Sequence, residues 1–122
     1  MKVKQKNARK AIIKKLDSLV SKIVRSQETA CIICGGTEYL QCGHLFSRRH
    51  HSTRWDIEPE GNCHTQCGRC NIRHNKDQSP YIFWYVEKFG KEKFEELRAR
   101  HNTITAYKEW QLRQLYEKLL KI

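Results

Sequence analysis

Two Cys-x-x-Cys pairs, Cys31-Ile-Ile-Cys34 and Cys67-Gly-Arg-Cys70, stand 32 residues apart in a chain of 122. No other feature limits the fold as tightly. Each pair can set two thiolates on one turn, and two such knuckles close a tetrahedral four-cysteine zinc site. Gly35-Gly36 and Gly68 suit the tight backbone that knuckles need. A redox role fits less well, because there are two pairs and no thioredoxin-like strand–helix–strand pattern. Cys42 and Cys63 are left over. They read as small buried residues between the knuckles, with Cys63-x3-Cys67 a competing ligand set.

A staple of this kind meets a need. Hydrophobic residues make up 39% of the chain and charged residues 30%, enough for one domain with a small core. Such cores usually require a metal, disulfides or a partner. No apolar run approaches the ~20 residues of a membrane span. The basic start Met1-Lys2-Val3-Lys4-Gln5-Lys6 leads into no apolar stretch of a secretory leader. The expected setting is therefore a reducing cytoplasm, where paired cysteines serve metals rather than disulfides. With 24 Lys/Arg against 13 Asp/Glu the formal charge is +11, which points to a polyanionic partner, nucleic acid before a membrane surface.

Charge and periodicity divide this single domain into residues 1–30, 31–80 and 81–122. In the first zone Ala8, Ile12, Leu16, Leu19, Val20 and Ile23 recur at three- and four-residue steps and predict an amphipathic helix. Lys6, Lys10, Lys14 and Lys22 fall on its other face, either solvated or against phosphates. The middle zone holds all six cysteines and is expected to be loop-rich with short strands. The last zone turns helical. Ser79-Pro80 reads as a helix start, Ile82, Phe83, Val86 and Phe89 as its buried stripe, and Gly90 as its end. A second segment covers about 91–100. A final helix carries Leu112, Leu115, Leu119 and Ile122, a seam that could fold back on the domain or join a second subunit as a homodimer.

Between the knuckles lie Gly43-His44, then Asn62-Cys63-His64, with Asn71 directly after Cys70. Residues 40–46 and 61–66 read as two strands, and Cys70-Asn71-Ile72-Arg73-His74 as the opening of a helix. Phosphodiester hydrolysis needs a base for water and a divalent cation for charge on the phosphate and the leaving oxygen. A neutral imidazole suits the first task near pH 7. An amide carbonyl can fix its tautomer, and oxygen and imidazole groups can hold the cation. Arg48, Arg49 and Arg54 follow the histidine and would grip phosphate, or else pair with Asp56, Glu58 or Glu60. His50 and His51 are expected to face DNA or solvent, and Trp55, Trp84 and Trp110 to be core residues.

The stretch from Cys31 to about Tyr85 resembles the phage NinG (Rap) recombination nucleases, and more distantly phage endonuclease VII and the HNH family. Cys31-Ile-Ile-Cys34-Gly, Leu40-Gln-Cys-Gly-His44-Leu-Phe-Ser47-Arg48, Arg54-Trp55-Asp56, Asn62-Cys-His64-Thr-Gln-Cys67-Gly-Arg-Cys70-Asn71, His74 and Pro80-Tyr81 carry it. The resemblance implies an α+β, ββα-metal fold in a phage protein of the bacterial cytoplasm. It further implies a DNA endonuclease acting on branched recombination intermediates. By position, His44 would be the general base, Asn62 its orienting residue, and Asn71 a ligand of Mg²⁺ or Mn²⁺. Many HNH enzymes place a metal ligand just before the base, where this chain has Gly43. His64, on the strand face of Asn62, or His74, on the helix face of Asn71, is expected to take its place. Competing readings are a non-catalytic zinc module for nucleic acid, a zinc-stapled protein working through its last helix, and a sequence-directed restriction or homing nuclease.

Overall fold

The computed structural model describes residues 2–122. Helix α1 (Lys2–Gln27) is followed by β1 (Leu40–His44), the short α2 (His51–Arg54), β2 (Cys63–Cys67) and α3 (Gly68–His74), then α4 (Ser79–Phe89), α5 (Lys91–His101) and α6 (Glu109–Leu120). The architecture is mixed: helices around one two-stranded antiparallel sheet. Among the described residues no helix is long and apolar enough to cross a membrane.

Two apolar clusters hold the elements. In one, Ile12, Leu16, Val20 and Val24 of α1 meet Trp55, Cys63, Leu112 and Leu119. The three- and four-residue spacing thus becomes a buried stripe, while Lys6, Lys10, Lys14 and Lys22 stay exposed. The α6 seam is used within the chain. Leu112 and Leu119 are buried and Leu115 packs beside them against α1, leaving Ile122 exposed, so of the two alternatives the seam takes the first and folds back onto the domain. Trp110 is 57% exposed, not core. Directly after Glu109, it lies off the Leu112–Leu119 stripe.

The other cluster joins Leu45, Tyr81, Tyr85 and Leu97, with Ile82, Trp84 and Phe89 packed against it. Here α4 is rotated from the expected stripe, and Phe83 is 71% exposed. The two tyrosines win the interior because their hydroxyls find acceptors. Tyr81 donates to Gly43 O at 3.0 Å and Asn62 O at 3.3 Å, and Tyr85 to Glu60 O. The helix ends at Gly90, whose φ of 93° favours glycine and lets α5 restart at once.

Strand register decides what can meet at the site. Gly43 pairs with His64 and His44 with Cys63. Opposed residues project to the same face and neighbours alternate. Cys42, His44, Cys63 and Thr65 therefore share one face of the sheet, and Gln41, Gly43, His64 and Gln66 the other.

Candidate functional site

The four knuckle cysteines come together: Cys31, Cys34, Cys67 and Cys70 place their sulfurs within 4.8 Å of one another. The Cys34 and Cys67 sulfurs are 3.7 Å apart. A tetrahedral zinc with Zn–S bonds of ~2.3 Å requires about 3.8 Å, so the donor set fits the ion. Backbone N–H groups already point at the sulfurs, Gly36 N at Cys34 Sγ (3.4 Å) and Cys70 N at Cys67 Sγ (3.5 Å). Burial acts to raise the Cys31 pKa, but N–H groups of Cys34, Cys67 and Ile33 outweigh it and bring it to about 7. Burial and the neighbouring thiols push Cys70 up to about 12. Four thiolates cannot gather here without a cation to neutralise them.

Beside this centre lies an open cleft of about 710 Å³, lined among others by His44, Arg48, Arg49, Asn71, His74 and Asn75. His44 Nε2 lies 2.7 Å from Arg54 O, an acceptor only, so Nε2 carries the proton and Nδ1 keeps its lone pair. Nδ1 has no protein partner among the described residues. Burial, reinforced by the Arg48 charge, lowers the His44 pKa to about 4 despite the Arg54 carbonyl. The ring is thus a neutral base of fixed tautomer.

The residue expected to orient it does something else. Asn62 is fully buried; its Oδ1 accepts from Phe46 N at 2.7 Å and its Nδ2 donates to Phe46 O and Thr53 O. It ties the loop after β1 to α2. The imidazole is held by the Arg54 carbonyl instead.

His64 does not reach the cleft. The register turns it to the opposite face, where Nδ1 meets Glu28 Oε2 at 2.9 Å and Nε2 meets Gly61 O at 3.0 Å. Both ring nitrogens are engaged there by acceptors, on the face of the sheet away from His44. His74 does line the cleft. Its Nε2 donates to Leu45 O at 2.8 Å, and its buried Nδ1 has no partner. Asn71 Nδ2 donates to Gln41 Oε1 at 2.9 Å, which frees Oδ1. Asn71 Oδ1 is thus free to meet a cation in the cleft, whereas His74 Nδ1 is closed off from solvent and would have to turn outward to join it.

Gly43 has no room for a ligand of its own. A Cβ there would stand 1.9 Å from Gln66 Oε1 and 2.8 Å from Gln66 Cγ. The Gln66 side chain fills the space, and its Oε1 is itself buried without a donor. Gln66 and His74 share a further cavity of about 10 Å³, roughly the size of one water.

The arginines separate into two kinds. Arg54 pairs through two nitrogens with Asp17 of α1, at 3.0 and 2.7 Å, and the same carboxylate accepts from Trp55 Nε1 at 2.8 Å. Arg54 is therefore a strut rather than a free phosphate ligand. Its partner is Asp17, and Asp56 pairs with Arg100 instead. Trp55 is correspondingly buried in the core. Arg48 and Arg49 remain exposed on the cleft, Arg48 3.9 Å from Asp17. His50 and His51 turn inward, against both expectations for them. His50 stacks on His101 at 4.0 Å and donates to its carbonyl. His51, brought down to about 4 by burial and then by Arg9, accepts from Tyr107 N at 2.8 Å. Two contributors escaped the sequence reading. Asp17 sits far away in the chain and carried no signal. Asn75 lies four residues beyond Asn71, a helical repeat that could have marked it.

A family model described as bacteriophage lambda NinG protein matches residues 1–121. No curated protein and no solved structure matches the chain.

Proposed function

The chain belongs to the bacteriophage lambda NinG family, and on that premise we propose that it is a metal-dependent endonuclease of the HNH, ββα-metal kind. Membership suggests a role in phage recombination, and the proposed substrate is branched DNA. The observation that carries the reading is His44, a neutral imidazole with Nε2–H committed to Arg54 O and Nδ1 unpartnered, in a cleft edged by Arg48 and Arg49. The succession β1, β2, α3 around a cluster of four cysteines supports it.

In this mechanism His44 Nδ1 takes a proton from water, and the Arg54 carbonyl stabilises the resulting imidazolium through Nε2–H. Arg48 and Arg49 seat the phosphate by charge-assisted hydrogen bonds. Asn71, with His74 once its ring turns outward, would hold the Mg²⁺ or Mn²⁺, which when bound supplies charge stabilisation at the phosphate and the leaving 3′ oxygen. The exposed Lys6, Lys10 and Lys14 add sequence-independent, salt-sensitive affinity.

The test is nicking of supercoiled DNA and of a four-way junction with Mg²⁺ or Mn²⁺, compared with matched linear duplex. Loss of the base in His44→Ala should cut the rate by about 10²–10⁴-fold. Equal rates for wild type and His44→Ala would overturn the proposal. Binding without cleavage by either protein would leave a zinc-stapled nucleic-acid module.

A further inference from the structure

At the wall of the cleft, Cys42, His44 and Cys63 offer two sulfurs and a ring nitrogen within 4.8 Å of one another. The knuckles use none of these. The group follows from the register: His44 pairs with Cys63, Cys42 lies two residues before His44, and all three share one sheet face. Two of the three converge on one acceptor: Cys63 Sγ donates to Arg54 O at 3.3 Å, and His44 Nε2 donates to the same oxygen at 2.7 Å. Cys42 and His44 also line a second cavity of about 270 Å³ that includes Asp17, so the cluster is open to solvent although Cys63 is buried.

From this geometry we infer that the chain carries a second metal site, Cys42–His44–Cys63, for a thiophilic ion such as Zn²⁺, and that filling it silences His44. Two sulfurs and an imidazole suit zinc rather than Mg²⁺ or Mn²⁺, which take oxygen ligands. Binding releases the two thiol protons, and the two thiolates neutralise the dication. The complex is therefore uncharged beside Arg48 and Arg54, where a bare cation would be repelled. A neutral imidazole has one lone pair: bound through Nδ1 it gives that pair to the ion, and bound through Nε2 it moves the Nε2 proton to Nδ1, so in either case Nδ1 has no lone pair left for water. The silencing rests on His44 being the base, as proposed above; the site itself does not.

The experiment begins with reduced protein carrying one zinc per chain, titrated with Zn²⁺ by calorimetry and followed by elemental analysis at buffered free zinc. Wild type should take up a second equivalent. Cys42→Ala and, independently, His44→Gln should weaken that equivalent by more than the about 10–100-fold typical of a lost outer partner, with the first zinc retained. Saturation of wild type at one zinc, or an unchanged second equivalent in both variants, would overturn the site. Nicking is read in parallel: the second equivalent should inhibit wild type and spare Cys42→Ala. Inhibition equal in both would overturn the silencing. A second equivalent lost in the variants, but with no nicking by any form, would uphold the site and sink the nuclease reading alone.

Discussion

Gly43 stands beside the proposed base His44, and its contact with Gln66 can be tested as a double-mutant cycle. In Gly43→Ala the new Cβ would lie 1.9 Å from Gln66 Oε1, 2.7 Å from Cδ and 2.8 Å from Cγ. Because Cγ is involved, turning the end of the side chain relieves nothing. Gln66 is 1% exposed, and the cavity it shares with His74 holds only about 10 Å³, so there is no free volume to swing into. Overpacking of this kind costs about 1–3 kcal/mol. Against it stands the usual gain of about 0.5–1 kcal/mol when alanine replaces glycine inside a strand. Gly43→Ala alone should therefore destabilise by up to about 2.5 kcal/mol. In a Gln66→Ala background the clash disappears and the same change should stabilise by about 0.5–1 kcal/mol. The coupling is then about 1–3 kcal/mol and the sign of the Gly43 effect reverses. Urea unfolding of the zinc-loaded proteins measures it. A Gly43→Ala effect equal in the two backgrounds, within the about 0.5 kcal/mol scatter of additive sites, would refute the contact.

Other outcomes follow from the same interactions. Asp17→Ala removes the acceptor of buried Trp55 Nε1 and the fork of Arg54. It should cost about 2–4 kcal/mol in urea unfolding, at 1–3 kcal/mol for an orphaned donor plus the ion pair. The His44 pKa is lowered to about 4 from an ordinary 6.5. The unfolded chain thus binds the proton first, and this residue's share of stability is lost as pH falls from about 6.5 to 4. For the same reason, cleavage should persist at pH 6; an acid limb centred at 6.5 would contradict the burial argument. Removing zinc with a chelator should unfold the knuckles and the hairpin between them. A structural zinc supplies about 10–16 kcal/mol, as much as the whole stability of a small domain. Hydrogen exchange in β1, β2 and α3 that is unchanged by the chelator would refute a structural role.

Much of the frame is local and legible in the residues alone. Knuckle spacing is a property of one turn, so Cys31, Cys34, Cys67 and Cys70 are identified without knowing what surrounds them. Periodicity fixes the α1 stripe and the α6 seam, and Pro80 and Gly90 mark the ends of α4, because these rest on backbone geometry within a few residues. What the chain alone does not decide is whatever depends on which neighbour arrives. The pairing of His44 with Cys63 turns His64 toward Glu28 and away from Asn71. Asp17, 37 residues from Arg54, claims the arginine expected to grip phosphate. A tryptophan at position 110 is as apolar as one at 55, yet only Trp55 has a partner for its N–H and a wall of α1 against its ring. Spacing is written in the covalent chain; register and long-range partners exist only once separate segments pack, so the tertiary structure alone selects among histidines and arginines that the sequence left equivalent.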